Sequence, residues 1–173
     1  MRKLIIAFVL MLGVPAMVSA QETPSAVSAH SVSVDILGVE YGYEWAVGQR
    51  LTLSGRVGIP PMVETAIIDH GNLDVQTNTR PAITIEPRYY TSLGRRARNG
   101  RSILNNSSDF VMLRLTGAHM LRDNDPLEAK VIVAYGIRRA WEHWYIEPTF
   151  GGGYHTQVDE FLPHLQFRLG FLL

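Results

Sequence analysis

The stretch "AITIEPRYYTS" (82–92) alternates too regularly for a loop, yet it carries Glu86, Pro87 and Arg88 at its centre. Successive side chains of a β-strand point to opposite faces. Ile83, Ile85, Pro87 and Tyr89 therefore share one surface, and Thr84, Glu86, Arg88 and Tyr90 share the other. Something apolar must cover the first surface. Water or paired charge must cover the second, because a buried charge without a partner is costly. Whether this division is local or runs through the chain decides the fold.

It runs through the chain. Leu37, Val39, Tyr41, Tyr43 and Trp45 fall on one face, and so do Leu51, Leu53, Gly55, Val57 and Ile59. The pattern returns at Val111 to His119, at Val131 to Ile137, at Ile146 to Phe150 and at Leu165 to Leu173. Turn-forming clusters such as "AVGQR" (46–50) and "RDNDPLE" (122–128) separate these segments. No segment has convincing helical periodicity, so the chain is all-β. The strands run to about ten residues, longer than the usual five or six of soluble sheets and matched to the nine to eleven that tilt across a bilayer.

Sorting the charges by face extends the reading. Glu40, Glu44, Arg56, Glu86, Arg88, Arg114, Lys130, Arg138, Glu147 and Arg168 all lie on the face that carries Gly, Ser and Thr. The other face is almost wholly aliphatic and aromatic. A soluble barrel or sandwich would turn the apolar face inward, whereas a membrane barrel turns it to lipid and encloses the charges. The four acids and six bases suit a narrow lumen in which they pair. The expected fold is a closed antiparallel up-and-down transmembrane β-barrel of eight strands, the number whose interior side chains alone can fill. Seven strands are plain. The eighth lies either in 24–36 or in 62–80, where a strand around Val63 to Ile68 is expected. Val32, Val34 and Ile36 run out of phase with the next strand, which places a bulge or break near Ile36–Leu37.

Aromatic residues gather at one end of this barrel. Connections between successive strands alternate between two rims. Trp45, Tyr89, Tyr90, Trp141, Trp144 and Phe171 all fall at the same one. Trp45, Tyr89, Trp141, Trp144 and Phe171 are read as an interfacial girdle, although aromatic residues favour strands in any setting.

The first twenty residues, "MRKLIIAFVLMLGVPAMVSA", combine Arg2 and Lys3, an apolar run and a small-residue end at Val18-Ser19-Ala20. That is the layout of a secretory signal peptide over 1–20. A leader over 21–30 is read as flexible, and the barrel as 31–173. Without Arg2 and Lys3 the chain carries 14 basic and 16 acidic residues, which does not suggest a nucleic-acid partner. There is no cysteine, so no disulfide holds the fold.

At "IEPRYYTSLGRRARNGRSILNNSSDFVMLRL" (85–115) and "LGVEYGYEWAVGQRLTLSGRVG" (37–58) the chain resembles small outer-membrane β-barrel proteins of Gram-negative bacteria. The resemblance covers essentially the whole exported chain, as a pattern of strands and turns rather than a catalytic motif. It implies an exported monomer in the outer membrane, whose partners are membrane lipid and the barrel-assembly machinery, which reads the terminal strand. Barrels of this kind commonly end on an aromatic residue, whereas this chain ends Phe171-Leu172-Leu173. A structural, surface-binding or narrow-pore role follows from the resemblance, and neither enzyme activity nor a cofactor is expected.

Chemistry-bearing residues offer alternatives. Arg95, Arg96, Arg98 and Arg101 lie in one loop, on the rim that carries the C-terminus. They are read either as a solvated turn or as a contact for anionic phosphates. The six histidines show no metal-ligand spacing. His119 stands where a lipid-cutting hydrolase would carry a base, but Met120 and Leu121 follow and no Ser-acid pair supports it. A soluble periplasmic carrier with an apolar core is the third possibility. The repeated "IEP" (85–87 and 146–148) predicts a bulge in each of two strands, because proline removes a ladder donor.

Overall fold

The computed structural model describes residues 24–35, 38–59, 63–69, 72–77, 81–118, 128–156 and 160–173. Within them the chain forms β1 (Ala29–Asp35), β2 (Gly38–Ala46), β3 (Leu51–Ile59), β4 (Val63–Asp69), β5 (Asn72–Thr77) and β6 (Ala82–Tyr90). A short helix α1 (Leu93–Arg98) and a single 3-10 turn (Leu104–Asn106) follow. The chain continues as β7 (Asp109–Ala118), β8 (Glu128–Ile137), β9 (Arg139–Trp141), β10 (Trp144–His155) and β11 (Glu160–Leu172). Neighbours pair antiparallel in the order β11-β1-β2-β3-β6-β7-β8-β10, and β10 pairs with β11 to close an eight-stranded barrel. Strand β9 extends β8 along β10, and β4–β5 form a separate hairpin.

The eighth barrel strand is therefore β1. The region 62–80 supplies a two-stranded excursion that includes the strand expected there. Strand β1 begins two residues inside the stretch read as a flexible leader. The change of phase between β1 and β2 comes from the chain reversing. Asp35 pairs with Gly38 and Val34 with Val39, so residues of opposite parity face the same way. Ile36 and Leu37, where a bulge was expected, lie outside the described residues.

The barrel has two rims. One, the terminal rim, carries the start of β1, the turns 47–50 and 142–143, the long loop 91–108 and the C-terminal Leu173. At 142–143 two residues suffice, because Trp141 pairs with Trp144 and Glu142 adopts a left-handed φ of 48°. The helix α1 was not expected; at six residues it is too short to show a period in the sequence.

The apolar face is on the outside. Large apolar side chains are exposed along every barrel strand, including Val34, Tyr43, Leu53, Ile85, Val111, Val133, Phe150 and Leu169. All ten charges assigned to the inner face are buried. The aromatic girdle positions Trp45, Tyr89, Trp141 and Trp144 are exposed at the terminal rim, with Phe171 half-buried beside them against the Trp144 ring. Tyr90 departs from its neighbours there: it points inward and is wholly buried.

The two proline strands do not bulge. Ile85 pairs with Leu115 and Arg88 with Met112, so the β6–β7 register is the same on both sides of Pro87. Across Pro148 the register is likewise unchanged between Ile146–Arg139 and Thr149–Gly136. Each proline removes ladder pairing without adding a residue, which interrupts the ladder and leaves its phase intact.

Candidate functional site

The interior glutamates and arginines form one connected network, and the proline gaps position its core. At unchanged register Glu86 stands opposite Arg114 across the β6–β7 gap, and Arg138 stands opposite Glu147 across the β9–β10 gap. Both pairs are bonded: Arg114 Nε donates to Glu86 Oε1 at 2.7 Å, and Arg138 Nε to Glu147 Oε2 at 2.8 Å. The repeated "IEP" thus sets a glutamate beside each interrupted ladder, with an arginine facing it.

Glu147 is the hub. It also accepts from Arg88 Nη1 at 3.0 Å, Arg88 Nη2 at 3.1 Å and Arg168 Nη1 at 2.5 Å, so three guanidinium groups share one carboxylate. Glu86 is bonded by Arg88 as well, and Arg56 and Arg168 approach it at 3.5 and 3.6 Å. Glu44 accepts Arg138 Nη1 at 2.7 Å, Thr52 Oγ1 at 2.7 Å and the Tyr90 hydroxyl at 2.6 Å. Arg168 reaches Glu40 at 3.1 Å. Lys130 is buried on the inward face of β8. Bidentate, charge-assisted bonds of this kind are the strong ones, and shared partners lower the desolvation cost that a lone buried pair would carry.

Several members were not anticipated from the sequence. Gln166 accepts from Arg114 Nη1 at 2.6 Å and donates to Asp35 Oδ2 at 2.6 Å, carrying the network to β1. Tyr145 lies under the Arg138 guanidinium at 4.7 Å, and Phe110 under Arg88 at 4.8 Å. The alternation alone puts these residues on the inner face, but only the register shows which charge each one meets.

Two glycines make room for those rings. Gly170 pairs directly with Tyr145, and Gly136 with Phe110. A Cβ on Gly170 would stand 2.1 Å from the Tyr145 ring, and one on Gly136 would stand 2.2 Å from the Phe110 ring. Gly170→Ala is expected to destabilise the barrel by about 1–3 kcal/mol, the usual cost of overpacking. Urea unfolding followed by tryptophan fluorescence measures it; an unchanged midpoint would mean that the ring swings aside freely.

Towards the terminal rim the interior becomes apolar. Tyr90, Phe110, Met112, Ile132, Ala134, Leu93 from α1 and Ala26 from the leader pack together. Ala26 and Val27 are held in place there. Ala26 N donates to Gln49 O at 2.8 Å, and Val27 exchanges two 2.8 Å bonds with the side chain of Asn106. Asn106 takes a left-handed φ of 62°, a conformation that asparagine tolerates better than most residues. Its amide also reaches Glu44 at 3.3 Å, which ties the rim to the charge network.

The loop arginines lie outside this interior. Arg96 donates from Nε and Nη2 to Ser102 O, at 3.1 and 2.9 Å, and Arg95 approaches Asp109 at 3.6 Å. Arg98 stands outside the group that lines the cavity formed here. His119 lies outside the described residues. Among the described residues no group of three or more His, Cys, Asp or Glu is placed to hold a metal ion. No family model matches the chain, and neither a curated protein nor a solved structure matches it.

Proposed function

We propose that this chain is a small integral outer-membrane β-barrel with a closed, ion-paired interior, serving the envelope as a structural or surface-binding element. The observation that carries the reading is the inverted barrel: an apolar exterior around buried charges. Eight strands exposing Val, Ile, Leu, Phe and Trp to water would present an apolar surface far larger than a soluble monomer normally shows. Lipid removes that cost, and strands of nine to thirteen residues in β2, β3, β6–β8, β10 and β11 are long enough to cross it. Among the described residues no helix is long and apolar enough to cross a membrane. A carrier with an apolar core is disfavoured, because the buried interior holds Glu86, Arg88 and Glu147 instead.

Within this reading a closed barrel fits better than a pore. Glu86 and Glu147 are 0% exposed and Arg88 is 1% exposed, so water does not reach the middle of the lumen. Reconstituted in planar bilayers, the protein is expected to show no steady conductance. The primary test compares unheated and boiled samples of carbonate-washed membranes on a detergent gel. A wash-resistant band whose mobility changes on boiling is the expected result. Recovery in the soluble periplasmic fraction, with no such change, would refute the membrane assignment.

A further inference from the structure

At the terminal rim, Arg95, Arg96, Asn99, Arg101, Asp109 and Arg139 line a cavity of about 360 Å³. Four guanidinium groups face one carboxylate, so the cavity keeps a positive excess. Part of the set is fixed in place. Arg139 Nη2 is held by Asp109 Oδ1 at 2.8 Å, and Arg139 Nη1 donates to Arg138 O at 2.7 Å. Arg96 is clamped on Ser102 O, while the Arg101 backbone N–H donates to Arg96 O at 2.9 Å. The Arg101 guanidinium makes no ion pair among the described residues. The Arg96 guanidinium is held below its ordinary value, first by its partial burial and then by the neighbouring cation Arg139, with Arg101 adding to the effect and Asp109 opposing it.

The cavity's position narrows the ligand. In the β-ladder Asp109 pairs with Ile137, two residues before the exposed Val111 on the same face. Arg139 pairs with Ile146, two residues before the exposed Trp141. Asp109 and Arg139 are therefore on the outward face of the barrel, at the edge of the apolar band. Tyr89 and Trp144 are exposed at the same rim. A molecule whose anionic group sat in the cavity could lay an apolar tail along that band without leaving the surface.

We infer that this rim cavity binds the phosphate of an anionic membrane lipid headgroup, with its acyl chains lying against the outward face of β7–β10. The inference rests on the membrane-embedded reading above. Guanidinium groups suit phosphate because their paired N–H donors match two of its oxygens, and the adjoining apolar face supplies what a free oxyanion cannot use. The pair Asp109–Arg139 sets the floor of the site, Arg95 approaches the same carboxylate at 3.6 Å, and Arg101 is left to meet the anion.

The experiment is native mass spectrometry of the detergent-purified full chain, carried out with phosphatidic acid and, in parallel, with phosphatidylcholine. The protein is compared with the double variant Arg95→Ala/Arg101→Ala, whose substitutions lie in the exposed loop. The wild type is expected to retain phosphatidic acid preferentially and to keep it in millimolar inorganic phosphate. Losing two surface cations should weaken retention about 30-fold, at roughly 1 kcal/mol each. Equal retention by the variant would overturn the assignment. So would displacement of the lipid by inorganic phosphate, which would mark a site for small free oxyanions. The boiling-dependent gel shift, measured on the same samples, separates the two proposals: its presence without lipid retention refutes the cavity's role alone, and its absence refutes the membrane reading beneath it.

Discussion

Glu147→Gln will be among the most destabilising single substitutions in the barrel, at about 3–5 kcal/mol. The change preserves size and removes only the charge that Arg88, Arg138 and Arg168 share. Glu40, Glu44 and Glu86 are then left facing five buried arginines and Lys130, and the side chains at the centre have no solvent contact to offset the larger surplus. A neutral amide also brings N–H donors towards three donors, so part of the bonding is lost as well as the charge. Urea unfolding of the vesicle-reconstituted protein gives the number. The exposed Glu142→Gln serves as a control and should stay within about 0.5 kcal/mol, as surface substitutions usually do. Similar midpoints for the two variants would show that the interior is hydrated and the network dispensable.

The second large effect is expected on the opposite face. Val133 is half exposed midway along β8, between the paired residues Leu113 and Gly152. In a bilayer, Val133→Lys should cost about 2–4 kcal/mol, the penalty for a cation at the midplane of a lipid-facing strand. Val111→Lys lies two residues from the start of β7, near the terminal rim. It should cost no more than about 1 kcal/mol, because a lysine there can extend its ammonium to the interface. The difference between the two is the diagnostic quantity. A barrel standing in water would give a small effect at both sites, and equal midpoints would remove the lipid from the picture.

Much of this was legible in the sequence, because a period of two assigns every residue in a strand to a face at once. The grouping of Glu86 and Arg88 against Ile85 and Tyr89 needed no structure, and repetition of the pattern implied closure. What stayed hidden depends on register. The "IEP" repeat suggested bulges, since sequence shows the missing donor at Pro87 and Pro148 but not whether the ladder resumes in phase. Strand β1 was obscured because antiparallel pairing of Asp35 with Gly38 puts residues of opposite parity on one face, which in sequence looks the same as an insertion. The rim latch formed by Val27 and Asn106 joins residues 79 apart, and nothing in either neighbourhood anticipates the other. The Arg loop was visible as charge, whereas its cavity needed Asp109 and Arg139 from two further strands.

The span of the charge network bears on the order in which the barrel can be made. Glu40 meets Arg168 across 128 residues, Asp35 meets Gln166 across 131, and Glu44 meets Arg138 across 94. A growing sheet that holds only the first strands contains Glu40 and Glu44 without their distant arginines, so its inner surface must stay wet. The ion pairs of Arg168 with Glu40 and Glu147 form when β11 docks between β10 and β1, and the same event closes the last edge of the sheet. Sealing and drying of the interior are then one late, cooperative step. Until then hydration keeps the charges soluble; afterwards their mutual attraction resists reopening.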